Sequence, residues 1–539
     1  MRQIPQRLWL LALLSGVLQI LPFPIAGQCP LWRTAFCWVA LVPLLVALLG
    51  DSKPGSAITW WQCALLGYAS GIFWYLGNCY WIYSTMYLYG GMAKPAAFGL
   101  LFLFCLYLGL YHALFGAVIG LLRNCGRLRR TWALIAAPVV WVAVELARAR
   151  ITGFPWDQLG VSQVDNVLLT VAAPIAGVYG MSFVIVLVNA HLAAWFILSN
   201  RWSRRQAAVV GLLLIVCLEI GGNKVRYLHF ELPSARVTHR AAATLLQEDL
   251  GFGPEAGLQR PPQSMAQLLA DFSQRSERPV PISPLQSSVI IWPESPAPFQ
   301  SQDPRFSDAL SKLAIETHAA VISGNLGIVR DDTSPRGYRL YNSALFVAPD
   351  GQIAGRYDKM HLVPFGEYVP FKSMFSFASS LTEAVGQFDP GMQRTLFATG
   401  GHKYGVFICY ESIFADEVRQ FVKQGADVLV NISDDGWYGD TSAPWQHLNQ
   451  ARMRAIENRR WLLRDTNTGI TAAIDPEGRV MGQASRHIRT AIAVGFNYSR
   501  ELTFYTKYGD VFAWICVLLT LLLVASCIVP GKKLSCEIQ

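Results

Sequence analysis

Long apolar runs occupy the two ends of this chain, and a stretch of ordinary polar content separates them. Runs of about 18 to 30 mainly apolar residues can cross a hydrocarbon core roughly 30 Å thick. We read eight such spans, the seventh of them short: 8–26, 34–50, 60–83, 95–122, 131–149, 166–198, 207–222 and 510–530. The pattern therefore predicts seven membrane helices in residues 1–222, and a last one with its tail in residues 510–539.

Two of these runs have features of their own. The sixth is longer than one straight crossing needs, and we expect it to break at Pro174 and Gly177, which are poor helix formers. The first run has a basic start and ends in Ile25-Ala26-Gly27, which resembles a signal peptide. Because more spans follow it, we expect an uncleaved first helix.

The polar stretch, residues 223–509, shows short β-rich runs that alternate with helical patterns. The predicted strands are 241–247, 288–292, 319–324, 343–348, 405–409, 427–432 and 491–494. The predicted helices are 304–317, 413–424 and 444–461. Alternation of this kind indicates an α/β domain whose sheet faces are covered by helices.

Composition supports a membrane protein. Of the 539 residues, 53% are hydrophobic and only 15% are charged, whereas soluble proteins carry roughly 25% charged residues. The net charge of +9 is compatible with nucleic acid as a partner, but no basic stripe is interleaved with aromatic residues. The arginines instead cluster in short connections between apolar runs, so we expect no binding to nucleic acid.

The basic residues also predict an orientation. With the N-terminus inside, the inner short segments hold twelve Lys or Arg residues and the outer ones hold four. Positive residues favour the cytoplasmic side. We therefore expect both termini in the cytoplasm and the α/β domain in the periplasm, at the inner membrane of a bacterium.

One of the eleven cysteines differs from the rest. Ten lie in or beside apolar runs or in the tail, where a cysteine is typically a small buried hydrophobe. Cys409 alone belongs to the polar stretch, so it cannot form a disulfide within that domain. It is either buried and inert or chemically employed.

Three segments at or just beyond strand ends could carry chemistry. Glu294 follows an apolar strand and a proline, Lys359 lies in a segment rich in titratable groups, and Cys409 stands where a strand turns into a helix. The helix dipole and a nearby lysine cation would both favour the thiolate, the nucleophilic form of cysteine. A nucleophile, a base and a cation are the parts that covalent acyl transfer needs.

The motifs around these residues resemble a known family. They are W-P-E ending at Glu294, D-K-x-H-L-V-P-F-G-E from Asp358 to Glu367, and I-C-Y-E around Cys409. In this order they look like the nitrilase, or carbon–nitrogen hydrolase, superfamily, and within it the membrane-embedded apolipoprotein N-acyltransferases. The eight-span layout and the T-G-F-P-W motif at 152–156 extend the resemblance over nearly the whole chain. The family implies an αββα sandwich for the α/β domain.

The resemblance also implies a reaction and its residues. Cys409 would take an acyl chain from a phospholipid, preferably a phosphatidylethanolamine, as a thioester. The α-amino group of a lipoprotein's diacylglyceryl-cysteine would then accept it. Glu294 matches the general base and Lys359 the cation that stabilises the tetrahedral oxyanion. Four further residues match supporting positions: Glu367 and Glu411, which would orient the lysine or assist proton transfer, and Asn342 and Tyr410.

Some positions depart from the family pattern. Its Q-G-N-I motif becomes Gln247-Glu248-Asp249-Leu250, and no tryptophan follows before Trp292. Its N-D-A-W motif becomes Asp434-Asp435-Gly436-Trp437, and Asp465 stands where a small residue is common. These departures bear on substrate preference more than on the type of reaction.

Other readings remain open. A membrane-anchored amidase or nitrilase would use water as the second nucleophile and would share the first half-reaction. A transporter would need ionisable groups at mid-membrane. The candidate there is Glu145, which we expect to form an ion pair with Arg148 on the same helix face. The dispersed histidines predict no metal site, and no cofactor is implied. The apolar segment 370–381 either packs into its own domain or is a membrane-dipping arm over the site.

Overall fold

The computed structural model describes residues 3–50, 58–125, 129–226, 240–251, 264–294, 299–364, 366–368 and 388–528. The chain divides into two compact units. One consists of residues 1–80, 98–232 and 510–539, and the other of residues 81–97 and 233–509. The segment 370–381, for which a membrane-dipping arm was one interpretation, lies outside the described residues.

The first unit is helical. Its α-helices, together with the one that enters it from residue 94, are Gln6–Ile20, Leu31–Thr34, Val42–Leu49, Trp60–Asn78, Lys94–Asn124, Arg129–Ala147, Val167–Thr170, Ala173–Ile197, Arg201–Arg226 and Val511–Ile528. Short 3-10 segments, Ala35–Trp38 and Leu159–Gln163, and a π-helical turn, Arg148–Thr152, join some of them.

Within the described residues, five helical segments are long and apolar enough to cross a membrane. They are Leu31–Leu49, Lys94–Asn124, Arg130–Thr152, Ala173–Ile197 and Val511–Ile528. The predicted break in the sixth run is confirmed, because Gly177 has a non-helical backbone (φ 64°, ψ −170°). The third run was predicted to continue to residue 83, but its helix ends at Asn78.

The predicted ion pair between Glu145 and Arg148 requires correction. Glu145 Oε1 accepts hydrogen bonds from the Trp141 indole N–H (3.0 Å) and from the Leu159 backbone N–H (2.8 Å). Arg148 Nη1 donates to the Trp156 carbonyl oxygen (2.7 Å), and its guanidinium lies 5.5 Å from the centre of the Trp74 ring. Closer partners therefore occupy each side chain, although both lie on one helix face as predicted.

The second unit contains two β-sheets. Its strands are β1 (Ala241–Gln247), β2 (Val280–Pro281), β3 (Ser287–Trp292), β4 (Ala320–Arg330), β5 (Tyr338–Val347), β6 (Ile353–Asp358), β7 (Leu396–Thr399), β8 (His402–Ile408), β9 (Val428–Ser433), β10 (Leu462–Thr466), β11 (Ala472–Ile474), β12 (Val480–Gln483) and β13 (Thr490–Phe496). The seven-stranded sheet has the order β2-β13-β1-β3-β4-β5-β6, and the six-stranded sheet has the order β12-β11-β10-β9-β8-β7.

Helices cover the outer faces of both sheets. The two sheets contact each other through β1, β3 and β10, and through β5 and β8. The helices Met265–Glu277 and Pro304–Thr317 pack on the first sheet, and Ala415–Lys423 and Ala443–Asn458 pack on the second. The layers therefore run helix, sheet, sheet, helix. The prediction of an α/β domain with helix-covered sheets is confirmed.

Some elements of the second unit were not predicted from the sequence, among them the helix Met265–Glu277 and the strands β6 and β10. The helix Met265–Glu277 begins with a capping box of Ser264 and Gln267, whose reciprocal hydrogen bonds satisfy its first N–H groups. Strand β6 pairs antiparallel with β5, and β10 pairs parallel with β9. Strands that depend on a partner for their stability carry weak local patterns, so periodicity alone did not predict β6 or β10.

Candidate active site

The three predicted catalytic side chains come from three separate strand ends. Glu294 lies two residues after β3, Lys359 directly follows β6, and Cys409 directly follows β8. Strands β3 and β8 each run parallel to a neighbouring strand in their own sheet. The carboxyl ends of such strands are where open α/β folds place their ligand sites.

Lys359 lies between two carboxylates. Its Nζ is 3.1 Å from Glu294 Oε1 and 2.9 Å from Glu367 Oε1. The lysine is only 1% exposed, so these are buried charge contacts. Burial alone would lower the pKa of Lys359, but the two carboxylates together raise it well above its usual value. Lys359 is therefore a permanent cation at neutral pH.

Asn342 holds the same two carboxylates from the other side. Its Nδ2 donates to Glu294 Oε1 (2.7 Å) and to Glu367 Oε1 (2.8 Å). Glu367 Oε2 accepts from the Val363 backbone N–H at 2.8 Å, within the loop that carries Lys359. The Lys359 ammonium and the Asn342 amide each donate to both carboxylates. Together they fix the separation of Glu294 and Glu367 and the direction of the lysine side chain.

The second oxygen of Glu294 faces the other sheet. Oε2 accepts from the backbone N–H of Asp434, 2.8 Å away, just beyond β9. Glu294 therefore connects the ends of strands in both sheets. Asp434, one of the residues that depart from the family pattern, is thus in contact with a predicted catalytic group.

Cys409 occupies a sharp turn between β8 and a 3-10 helix, Cys409–Ile413. Its φ of 50° lies in the left-handed region, which is uncommon for a residue other than glycine. The residue is 6% exposed, so it is buried but retains a small solvent-accessible surface. Glu294 and Lys359 both lie close enough to act on the charge of its thiol.

The effect of the lysine cation, which was expected to favour the thiolate, is outweighed at this site. Burial and the negative charge of Glu294 raise the pKa of the Cys409 thiol well above its usual value, and they outweigh the opposite effect of Lys359. The sequence indicated the lysine cation correctly but gave no information about desolvation. At neutral pH the thiol is protonated, so its attack needs a base.

Glu411 contacts backbone and a tyrosine rather than the lysine ammonium. Its Oε1 accepts from the N–H groups of Met360 (2.7 Å) and His361 (3.1 Å) and from the Tyr357 hydroxyl (2.8 Å). Its Oε2 accepts from the Ile408 N–H at 2.7 Å. Glu411 therefore joins the loop of Lys359 to the turn of Cys409. Tyr410 follows Cys409 and packs its ring edge-on against Phe414.

Four residues near Cys409 were given no role at the site from the sequence. Ser433 lies close enough to the thiol to influence it, and the His447 ring contacts the Cys409 carbonyl oxygen. Asp435 binds His447, and Tyr438 lies close enough to the thiol for the two groups to interact electrostatically. Ser433, Asp435 and Tyr438 follow or end β9, so their position at a strand end was the available signal.

A segment outside the polar stretch also belongs to this unit. The Trp81 ring lies 5.1 Å from that of Tyr438, and Thr85 Oγ1 donates to the Trp437 carbonyl oxygen at 3.0 Å. Tyr89 packs edge-on against Trp437. Residues 81–97 therefore support the turn after β9, which the sequence did not indicate.

The side chains of this site offer no metal centre. Within the described ranges of the chain, no group of three or more His, Cys, Asp or Glu side chains is arranged to hold a metal ion.

Comparison with known proteins decides the family. The family model for the apolipoprotein N-acyltransferase N-terminal domain matches residues 15–191, and that for carbon-nitrogen hydrolase matches residues 259–496. An apolipoprotein N-acyltransferase of Geobacter metallireducens is 36% identical over 523 residues, covering 95% of this chain and 94% of the relative. The chain belongs to the apolipoprotein N-acyltransferase family.

A second relative agrees with this assignment. An apolipoprotein N-acyltransferase of Methylococcus capsulatus is 34% identical and covers 93% of this chain and 92% of its own length. Among solved structures, a nitrilase-superfamily member from Saccharomyces cerevisiae has a TM-score of 0.35 at 18% identity, over 48% of this chain and 91% of its own. The predicted family and acyltransferase class are confirmed, and the apolar helices fit a bacterial membrane protein.

Proposed function

We propose that this chain transfers an acyl chain from a phospholipid to the α-amino group of the N-terminal diacylglyceryl-cysteine of lipoproteins. The names of its full-length relatives support this activity. The observation that carries the chemistry is the buried Lys359, bound to Glu294 and Glu367 beside the thiol of Cys409. We propose phosphatidylethanolamine as the donor and diacylglyceryl lipoproteins as the acceptors, both in the lipid bilayer.

In the first half-reaction, Glu294 accepts the thiol proton of Cys409 and the sulfur attacks the ester carbonyl of the phospholipid. The high pKa of the buried thiol makes this proton transfer necessary. Negative charge then develops on the carbonyl oxygen, and the fixed ammonium of Lys359 stabilises it. Collapse of the intermediate breaks the ester C–O bond. The lysophospholipid alcohol leaves with the proton from Glu294, and the acyl chain remains on Cys409 as a thioester.

In the second half-reaction, the α-amino group of the acceptor attacks the thioester carbonyl. Glu294 takes a proton from the amine and returns one to the departing sulfur, so the free thiol and an amide result. Asn342 and Glu367 position Lys359 and Glu294 in both steps, and Glu411 joins the two loops that carry the lysine and the nucleophile. A backbone N–H near Tyr410 is proposed as a second oxyanion donor.

The arrangement in the membrane is part of the proposal. We propose eight spans, with seven in residues 1–222 and the last in residues 510–539, and a catalytic domain in residues 223–509. The basic residues between the spans support cytoplasmic termini and a periplasmic catalytic domain at the inner membrane. The five apolar helical segments named above support the membrane location but not this count.

A hydrolase is the second candidate, because the carbon-nitrogen hydrolase match covers residues 259–496. The full protein in detergent micelles would be incubated with phosphatidylethanolamine, and its intact mass measured. The proposal expects one acyl chain on Cys409 that hydroxylamine removes, and none on Cys409→Ala. Cys217→Ala, at an exposed cysteine of the helical unit, is the matched control and should acylate normally.

The acceptor then separates the two candidates. Adding a diacylated lipopeptide with a free α-amino group should discharge the thioester and yield the triacylated amide. An adduct lost only to water, with no amide formed, would establish the hydrolase instead. Phosphatidylglycerol in place of phosphatidylethanolamine tests the headgroup, and equal rates would remove the proposed preference.

A further inference from the structure

A cluster of charged side chains lies buried behind Cys409 and is not used in the chemical steps above. Asp435, His447 and Arg464 are all fully buried. Asp435 Oδ1 lies 2.8 Å from His447 Nδ1, and Asp435 Oδ2 accepts from Arg464 Nη2 at 2.7 Å. Buried charge clusters are weak evidence for stability, since well-packed apolar residues often serve as well. We therefore expect the cluster to serve the site as well as the fold.

The cluster reaches the nucleophile through His447. Its Nε2 lies 3.1 Å from the carbonyl oxygen of Cys409. A carbonyl oxygen only accepts hydrogen bonds, so Nε2 carries a proton whenever this contact exists. Burial and the nearby charge of Arg464 lower the pKa of His447, whereas Asp435 and the Cys409 carbonyl act in the opposite direction. Nδ1 lies between Asp435 Oδ1, 2.8 Å away, and Arg464 Nη2, 3.1 Å away.

The residue that His447 holds is in a strained conformation. Cys409 has a φ of 50°, which for a side chain of this kind persists only where the surroundings enforce it. The preceding N–H, of Ile408, donates to Glu411 Oε2 at 2.7 Å, and His447 holds the carbonyl that follows. These two contacts bracket the turn that directs the sulfur towards Glu294 and Lys359.

The same cluster also approaches the sulfur. The Ser433 hydroxyl donates to Asp435 Oδ1 at 3.0 Å and lies close enough to the Cys409 thiol to influence it. Asp435 therefore orients both the imidazole behind the carbonyl and the hydroxyl beside the thiol. Arg464 and His447 keep Asp435 charged, since they hold its pKa below the usual range despite burial.

We infer that His447 is a positioning residue for the acyl transfer: held by Asp435 and Arg464, it fixes the left-handed turn of Cys409 by donating to its carbonyl oxygen. The inference rests on the proposed function, because its consequence is the rate at which Cys409 is acylated. His447 touches no substrate, so it should affect the maximal rate rather than phospholipid binding.

Two substitutions of His447 test the contributions of its two ring nitrogens separately. In His447→Gln, the amide nitrogen occupies roughly the place of Nε2 and retains a donor for the Cys409 carbonyl. In His447→Asn, the shorter amide replaces Nδ1 and retains the contact with Asp435 only. We expect His447→Asn to lower the maximal acylation rate about 10- to 100-fold and His447→Gln to retain most of it, because a small displacement of the nucleophile spoils its approach.

The experiment measures acyl-enzyme formation by rapid quench and intact mass, at varied phosphatidylethanolamine in detergent micelles. His402→Gln is the control, since His402 also faces an aspartate, 3.6 Å from Asp427, but outside the site. The half-saturating phospholipid concentration should be unchanged in all three variants. Thermal unfolding of each variant shows whether it is folded.

Equal rates for folded His447→Asn and His447→Gln would overturn the inference, and so would a wild-type rate for His447→Asn. If His447→Asn does not fold, His447→Gln decides alone: most of the wild-type rate supports the positioning role, and a loss of about tenfold or more refutes it. Failure of the proposed function has a different signature, since the wild-type protein would then form no adduct on Cys409.

Discussion

The ammonium group of Lys359 lies 3.1 Å from a carboxylate oxygen of Glu294, and both side chains are buried. The pair therefore brings together, from two separate loops, a fixed cation and a carboxylate that can act as a base. A fixed cation close to a base favours acyl transfer, because the ammonium group is already in position to stabilise the negative charge that develops on the carbonyl oxygen. It also makes the site sensitive to the loss of either charge.

Removing that cation should damage both stability and activity. Lys359→Met leaves Glu294 and Glu367 as neighbouring buried carboxylates, so we expect a loss of about 3–5 kcal/mol in the free energy of unfolding and no acyl-enzyme. Lys312→Met, in an exposed Lys–Glu pair, is the control and should cost less than about 1 kcal/mol. Combining Lys359→Met with Glu367→Gln should regain part of the stability and none of the acylation. Unfolding in detergent and intact mass measure these effects, and equal losses for both lysines would contradict the prediction.

Replacing Glu294 should change two reactions of the Cys409 thiol in opposite directions: alkylation should become faster, and acylation by phospholipid should become slower. Because Glu294 helps to raise the pKa of Cys409, Glu294→Gln should increase the thiolate fraction and speed alkylation by iodoacetamide at pH 7.5. The same substitution removes the base, so acylation by phospholipid should slow greatly. The alkylation rate of the wild-type thiol should keep rising above pH 9, since its pKa lies above the usual value. A wild-type alkylation rate that levels off below pH 8 would show a resting thiolate instead.

The Glu411 carboxylate should affect both stability and acylation, because it joins the loop of Lys359 to the turn of Cys409. Glu411→Gln turns one acceptor oxygen into an N–H donor that faces N–H groups, so we expect a loss of about 1–3 kcal/mol in stability and slower acylation. Tyr357→Phe removes only one of the four donors and should cost about 1 kcal/mol. Thermal unfolding and the acylation rate test both variants. If Glu411→Gln were as stable and active as wild type, this role would be excluded.

Glu417 should give a stability difference that depends on pH. The His361 ring, 3.7 Å away, and a hydrogen bond from Arg394 hold the pKa of Glu417 at about 2, below the usual value. Its ionised form therefore stabilises the fold above pH about 4, and the contribution is lost as the pH falls towards 2. Glu417→Gln should lower stability at pH 7 by less than about 1 kcal/mol, since the contact is partly exposed, and should match wild type near pH 2. A difference that does not change between pH 7 and pH 3 would contradict this origin; Glu316→Gln serves as the control.

Local patterns predicted the elements whose signals are strong in the sequence itself. Strand β1 was predicted with the bounds that the structure has, and so was the helix Pro304–Thr317, which begins at the N-cap Asp303 and Pro304. The helix between β8 and β9 was predicted to begin at residue 413. In the structure, a 3-10 turn occupies Cys409–Ile413 and the α-helix begins at Ala415. Strands β2, β6, β7, β10, β11 and β12 were missed because their pairing partners, more than their own residues, determine them.

The sequence by itself determined the division into apolar and polar parts, the alternation of strands and helices, the strand ends that carry Glu294 and Cys409, and the segment of titratable groups that holds Lys359. These features follow from local hydrophobicity and turn chemistry, which act between near neighbours in the chain. Only the tertiary structure decided that the thiol is protonated, that Glu411 binds backbone, and that His447 lies behind the Cys409 carbonyl. Desolvation and contacts between distant residues arise only once both sheets have packed together, and no local pattern encodes them.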